Sequence, residues 1–261
     1  MSLADLAFFA DRMAERAQLS DADRQAIAAL PHTRRRMNAQ AYLLREGEPP
    51  RTACALVISG MVLRHKLTGD GARQIVAVNL PGELIDLQHV FLNVVDHNVQ
   101  ALTEVELADI GRDVLQQLVR SRPAVARAFW VEGLIASSIY REWVLNVGRR
   151  DARTRIAHIL CEIATRMHAA GMIEETERFS LPMTQEQLGD ATGLTSVHVN
   201  RTIKALAAEG LIEHVGRTIS IANWRGLQRV GDFNPRYLHL DQAAERFTVP
   251  ESDIFVSSEA G

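Results

Sequence analysis

The sequence predicts an α+β protein with three parts. These are an N-terminal double-stranded β-roll, a long dimerisation helix and a C-terminal winged helix-turn-helix domain. Three observations predict this. Short apolar runs separated by close turns fill residues 33–110, as in a small roll or barrel. Residues 184–209 read as two short capped helices joined by a glycine turn. Between these regions, Ala124 to Val147 is apolar on too many sides to be covered by one small roll.

The composition is that of a globular protein: 261 residues, 47% hydrophobic, 23% charged, with a net charge of −3. No apolar run approaches the roughly 18 residues that mark a membrane-spanning helix. Met1 to Ala10 is acidic and lacks a signal peptide's order of charge and apolar stretch. Two cysteines, Cys54 and Cys161, fit a reducing compartment, so a cytoplasmic location is expected. Both lie in apolar patterns and read as buried small hydrophobes.

Residues 1–30 read as N-terminal helices. Apolar and charged residues alternate at helical spacing over 2–17, and Ser20 with Asp23 caps a second helix that stops at Pro31. Residues 31–120 form the roll, with strands expected at 53–59, 61–67, 73–79 and 98–110. Thr68-Gly69-Asp70-Gly71 closes a hairpin, and Gly47-Glu48-Pro49-Pro50 and Pro81-Gly82 make further turns. Residues 121–150 form the long helix, whose Phe129, Trp130, Leu134, Ile135, Trp143 and Val144 are expected to face a twin helix of a second copy. Asp151 is placed to cap the next helix, which carries the stripe Ile156, Leu160, Ile163, Met167. Residues 151–240 form the winged helix-turn-helix domain, with a polar linker or loop at 171–180. Residues 241–261 read as a polar, flexible tail.

The helix-turn-helix can be argued residue by residue. Thr184 and Gln187 have capping-box spacing, Met183 and Leu188 can form a staple, and Gly193 suits a left-handed helix end. Thr195 then caps the second helix, with Leu194 and Val199 as its staple. At about 100° per residue, Val199, Ile203, Leu206 and Ala207 share one face, while Val197, Arg201 and Lys204 lie opposite with His198 on the flank. Because the N-terminal part of such a helix reaches base edges, Ser196, Val197 and Arg201 are the expected base readers of double-stranded DNA. Thr184, Gln185, Thr195, His198, Lys204 and Arg217 are the expected backbone contacts, Arg217 at the tip of a hairpin wing. Bulk charge gives no help: over 181–240 six cations (Arg201, Lys204, Arg217, Arg225, Arg229, Arg236) meet five anions (Glu186, Asp190, Glu209, Glu213, Asp232). Affinity must then come from where the charges lie.

This order of parts resembles the Crp–Fnr superfamily of bacterial transcription regulators over roughly residues 30–240. Ser59-Gly60, Pro81-Gly82-Glu83-Leu84, Asp151 through Leu160, Met183 through Gly189 and Gly193-Leu194-Thr195 carry the resemblance. It implies a cyclic-nucleotide-binding-like roll and a homodimer on an imperfect palindrome, with RNA polymerase as a further partner if the protein activates. By position Arg201 matches the family's guanine-reading arginine, and Thr184 and Thr195 match backbone-contacting positions. Val197 departs from the glutamate many members carry, and valine cannot accept from cytosine N4, so a different base is expected there.

The sensory side departs further. Members that bind cyclic AMP follow the Gly-Glu loop with an Arg-Ser or Arg-Thr about ten residues on. Here the matching stretch is Val95-Asp96-His97-Asn98, and no arginine lies between Arg73 and Arg112. A phosphate beside Asp86 and Asp96 would lack neutralisation, so a cyclic nucleotide is not expected. The expectation is an unknown small effector or none, with Gly82, Glu83, Asp96 and His97 as candidate pocket residues. Two cysteines cannot supply the four ligands of the family's iron–sulfur cluster. His65, His89 and His97 are formal haem ligands, and Asp86, His89, Asp96 and His97 could form a mixed metal site. Loop histidines are more often surface residues, so no metal or cofactor is predicted. A Gly-rich phosphate loop, Gly-x-Ser-x-Gly and His-Glu-x-x-His are all missing, and an enzyme is not expected. The alternative reading is a ligand-, metal- or redox-sensing module whose winged helix contacts protein rather than DNA.

Overall fold

The computed structural model describes residues 6–174, 181–215 and 218–240. Two helices open it, α1 (Ala7–Arg16) and α2 (Asp21–Ala28), and Ser20 and Asp23 close a reciprocal capping box at the start of α2. Eight strands follow: β1 (His32–Met37), β2 (Tyr42–Leu44), β3 (Ala53–Ser59), β4 (Val62–Leu67), β5 (Arg73–Asn79), β6 (Leu84–Ile85), β7 (Asn98–Ala101) and β8 (Val105–Gly111). They form two antiparallel four-stranded sheets, ordered β1-β8-β3-β6 and β2-β7-β4-β5. Leu44, Val57, Val62, Ile85, Val99 and Leu107 fill the space between the sheets.

The single strand expected over 98–110 is two strands in different sheets. The chain crosses between them at 102–104, where the Thr103 hydroxyl accepts from the Met61 amide at 2.9 Å. Gly60, at φ +80°, faces this crossover, and a Cβ there would overlap the Glu104 carbonyl. The glycine is thus required by both backbone angle and close approach. β1 lies outside the expected strands because its sequence, His-Thr-Arg-Arg-Arg-Met, has little apolar content. It is an edge strand held by side chains as well as by its ladder, with Arg35 on Asp109 at 2.9 Å and Arg34 on Glu106 at 3.0 Å.

Helices α3 (Arg112–Ser121) and α4 (Pro123–Arg149) follow the roll. α4 begins at a proline, whose fixed φ suits a first helical position. Its apolar surplus is divided inside the chain in a way that corrects the dimer-face expectation. Phe129 packs with Phe9, Met13, Leu56 and Leu115, and Ile135 is also buried. Trp143 is buried with its indole N–H directed at the Glu162 carboxylate, 3.0 and 3.1 Å from its two oxygens. These three are occupied by their own chain. Trp130, Leu134 and Val144 stay exposed, at 72%, 57% and 69%.

α5 (Ala152–Ala169) starts at Asp151, whose carboxylate accepts from the Thr154 amide at 2.8 Å. α6 (Gln185–Thr192), α7 (Ser196–Ala208), the hairpin β9 (Ile212–Val215) and β10 (Thr218–Ile221), and α8 (Trp224–Val230) complete the C-terminal part. This part does not own a separate core. Leu63, Ile75, Val78 and Leu80 of the roll share one apolar cluster with Trp143, Ile156, Leu160, Leu188, Val199 and Ile203. Cys54 and Cys161 are free and buried, and burial pushes the Cys54 thiol up to about 12.

His65 is fully buried, and neither ring nitrogen has a hydrogen-bond partner among the described residues. Burial first, and then the Arg73 charge, hold its pKa below the ordinary value; burial and then Arg150 do the same at His158. The unfolded chain therefore takes up protons near about pH 6.5 while the folded ring stays neutral. Stability should be complete above that pH and fall as the pH drops toward the folded pKa. Denaturant melts at about pH 7.5 and about pH 5.5 should show the loss, and His65→Leu should lose less over that interval than the parent. Equal losses would remove His65 from the account.

Candidate nucleic-acid interface and effector cavity

The turn between α6 and α7 is built by local chemistry. The Thr184 hydroxyl accepts from the Gln187 amide at 3.1 Å, and the Gln187 side chain accepts from the Thr184 amide at 2.9 Å. Gly193 ends α6 at φ +67°, and Thr195 caps α7 by accepting from the His198 amide at 3.3 Å. Gly189 makes the bend possible, because a Cβ there would sit 2.5 Å from the Leu194 carbonyl oxygen. Asn200 donates to the Gln185 side chain at 2.9 Å and ties the two helices together, a link that sequence reasoning missed.

The two faces of α7 fall as its periodicity requires. Val199, Ile203 and Leu206 are fully buried. Ser196, Arg201 and Lys204 are exposed, Val197 is 76% exposed and His198 is half-buried. Thr184 and Thr195 are exposed and Gln185 half-buried at the same end of the motif. Among the described residues, Arg201 and Lys204 make no hydrogen bond or ion pair. β9 and β10 pair from Ile212↔Ile221 to Val215↔Thr218 as a wing, and Arg217 lies outside the described residues.

The back of α6 faces the roll. Arg73 of β5 pairs with Asp190 at 2.6 Å, and Gln74 donates to the Ala191 carbonyl at 3.5 Å. From the other side Arg155 of α5 donates to the Thr192 carbonyl at 3.0 Å. The helix-turn-helix is thus seated between its own domain and the roll, with α7 turned outward.

Gly82, Glu83, Asp96 and His97 line a single cavity of about 1280 Å³ between the roll, α1 and α4. Two of these candidate pocket residues, Glu83 and His97, are already engaged by protein groups. Glu83 accepts from Arg166 at 3.1 and 3.3 Å, from Arg12 at 3.4 Å and from Asn79 at 3.1 Å. Burial alone would raise its pKa; Arg166 and Arg12 outweigh this and hold it below the usual carboxylate range. His97 sits between Asp96 at 2.8 Å and Asp86 at 3.2 Å. His89 turns to the Val94 carbonyl at 3.1 Å, away from that group. Among the described residues no cluster of His, Cys, Asp and Glu is placed to hold a metal ion. None of their helices is long and apolar enough to cross a membrane.

Comparison with known proteins joins the two halves. A cyclic nucleotide-binding domain matches residues 34–122 and a Crp-like helix-turn-helix domain matches residues 154–230. The transcriptional activator protein FnrL of Cereibacter sphaeroides is 30% identical over 182 residues, 68% of this chain and 73% of that protein. The chain belongs to the Crp/Fnr family of transcription regulators. Another Crp/Fnr-type relative, the nitrogen fixation regulation protein FixK of Azorhizobium caulinodans, is 32% identical over 161 residues, 60% of this chain and 62% of that one. The solved structure of FixK2 from Bradyrhizobium japonicum superimposes with a TM-score of 0.69 at 26% identity, covering 77% of this chain and 98% of FixK2.

If the Gly189–Leu194 approach sets the angle between α6 and α7, Gly189→Ala must open it. The variant should lose about 1–3 kcal/mol of stability and lose DNA affinity with it. Calorimetric melting beside a DNA-binding titration checks both, and a variant with parental melting and affinity would contradict this role.

Proposed function

We propose that the protein is a homodimeric, sequence-specific DNA-binding transcription regulator that acts in the cytoplasm on a palindromic site. It answers to a small effector other than cyclic AMP. The observation that carries this reading is the outward face of α7. Arg201 stands exposed and without a protein partner among the described residues, beside exposed Ser196 and Val197, on a helix whose opposite face is fully buried. An arginine fork suits guanine O6 and N7, and the valine methyls suit thymine. Lys204, one turn further on, suits phosphate, with Thr184, Gln185, Thr195 and His198 around it.

Pairing of two copies is supported by α4. Its exposed residues Trp130, Leu134, Ser137, Arg141, Val144 and Gly148 follow one another at alternating spacings of four and three. That is a heptad seam on one side of the helix. Trp130, Leu134 and Val144 of the sequence-predicted set lie on it. A two-fold axis along this seam gives two recognition helices and demands two half-sites.

Selection on random duplex DNA should return a palindrome. Arg201→Ala should cost about 1–3 kcal/mol at one base pair of each half-site and relax preference there. Lys204→Ala should weaken all sites alike and lower the salt slope by about one per subunit. A selected motif unchanged by Arg201→Ala would favour a protein-contacting wing instead. Leu134→Glu should shift the protein from dimer to monomer in sedimentation. A dimer that tolerates it would place the seam elsewhere.

A further inference from the structure

We infer that the cavity between the roll and α4 binds an organic anion with an apolar body, whose carboxylate or phosphate is seated on Arg64. This rests on the reading of the roll as the effector domain.

Arg12 is paired with Glu83 and Glu132, and Arg166 with Glu83 and Glu162. Lys66 is paired with Glu46. Among the described residues Arg64 is the one arginine or lysine lining this cavity that forms no ion pair, and Asp86 and Glu83 act on its charge only from beyond ion-pair distance. Its only hydrogen bond among them runs from Nη1 to the Tyr140 hydroxyl at 3.3 Å, and its Nε is buried without an acceptor. The stem is fixed in the middle of a sheet, since Arg64 pairs with Ala77 of β5 and Val99 of β7. A rigidly held, desolvated guanidinium with unspent donors suits a carboxylate or phosphate, which its fork can bind in two places.

The rest of the wall selects the body of the ligand. Leu84, Leu87, Phe91, Trp130, Leu134 and Ile139 line the same space. Such walls reward alkyl or aryl surface. A cyclic nucleotide would need a free acceptor for its ribose hydroxyl, yet both Glu83 oxygens are engaged by Arg166, Arg12, Asn79 and the Leu80 amide. Trp130 and Leu134 belong to the exposed seam of α4, so a second copy would roof the cavity rather than stand apart from it.

Calorimetric titration of the full-length protein with decanoate, decyl phosphate, decanol and cyclic AMP tests this. At least one of the two anions should bind about tenfold or more tightly than decanol and cyclic AMP, and the better one identifies the headgroup. Arg64→Met should erase the preference over decanol, and Arg64→Lys should retain part of it if the methionine variant fails to fold. Equal binding of decanol and the anions, or anion affinity unchanged by either variant, would overturn the inference. So would no binding at all by a dimeric protein, which would mean that the second copy's helix fills the space. DNA selection on the unliganded protein is a separate readout. A palindrome recovered without anion binding sinks this inference alone, whereas anion binding without any DNA motif sinks the regulator reading.

Discussion

One buried carboxylate holds the parts of this molecule in register. Glu83 sits on the turn after β5, and its two oxygens take hydrogen bonds from α1 through Arg12, from α5 through Arg166 and from the end of β5 through Asn79. A carboxylate at this depth is stable only while its cations stay in place; removing one partner of a buried pair costs about 3–5 kcal/mol. The pairing continues outward. Arg12 and Arg16 both reach Glu132 on α4, and Arg166 also meets Glu162, which takes the Trp143 indole and the Tyr237 hydroxyl. Roll, long helix and helix-turn-helix part are therefore linked by charge as well as by their shared apolar core.

That link joins the cavity physically to the elements that seat α7. Arg166 lines the cavity from the C-terminal part, and Arg73 fixes the roll to α6 through Asp190. Under the proposed function, a ligand that shifts the roll loop would act on the same helices that seat α7, through contacts that already join the roll to the C-terminal part.

The helix-turn-helix was legible in the sequence because its determinants are local. Thr184 with Gln187, Thr195 with His198, and Gly193 act within three residues or through a single backbone angle. The face of α7 followed from periodicity alone. The cavity was only half legible: Gly82, Glu83, Asp96 and His97 do share it, but the cations that decide its chemistry come from far away in the chain. Arg12 and Arg166 stand 71 and 83 residues from Glu83. Arg64, on β4, precedes the 74–111 stretch in which the family resemblance would place a cation. On α4, Phe129, Ile135 and Trp143, which are buried in their own chain, could not be told from the exposed Trp130, Leu134 and Val144 without knowing where α1 and α5 pack. β1 escaped notice because an edge strand stabilised by ion pairs carries no apolar alternation.

The seam of α4 carries Arg141 between Leu134 and Val144, with Ser137 and Ser138 accepting from its guanidinium at 2.9 and 3.2 Å. In a parallel two-fold pairing, each Arg141 would approach its twin. Added electrolyte shields that repulsion and so favours subunit association. The same electrolyte would, with Lys204 on phosphate as proposed, compete with that contact and so disfavour occupancy of the duplex. Assembly and operator binding would then respond to ionic strength with opposite sign, leaving an intermediate salt concentration at which the occupied dimer is most abundant.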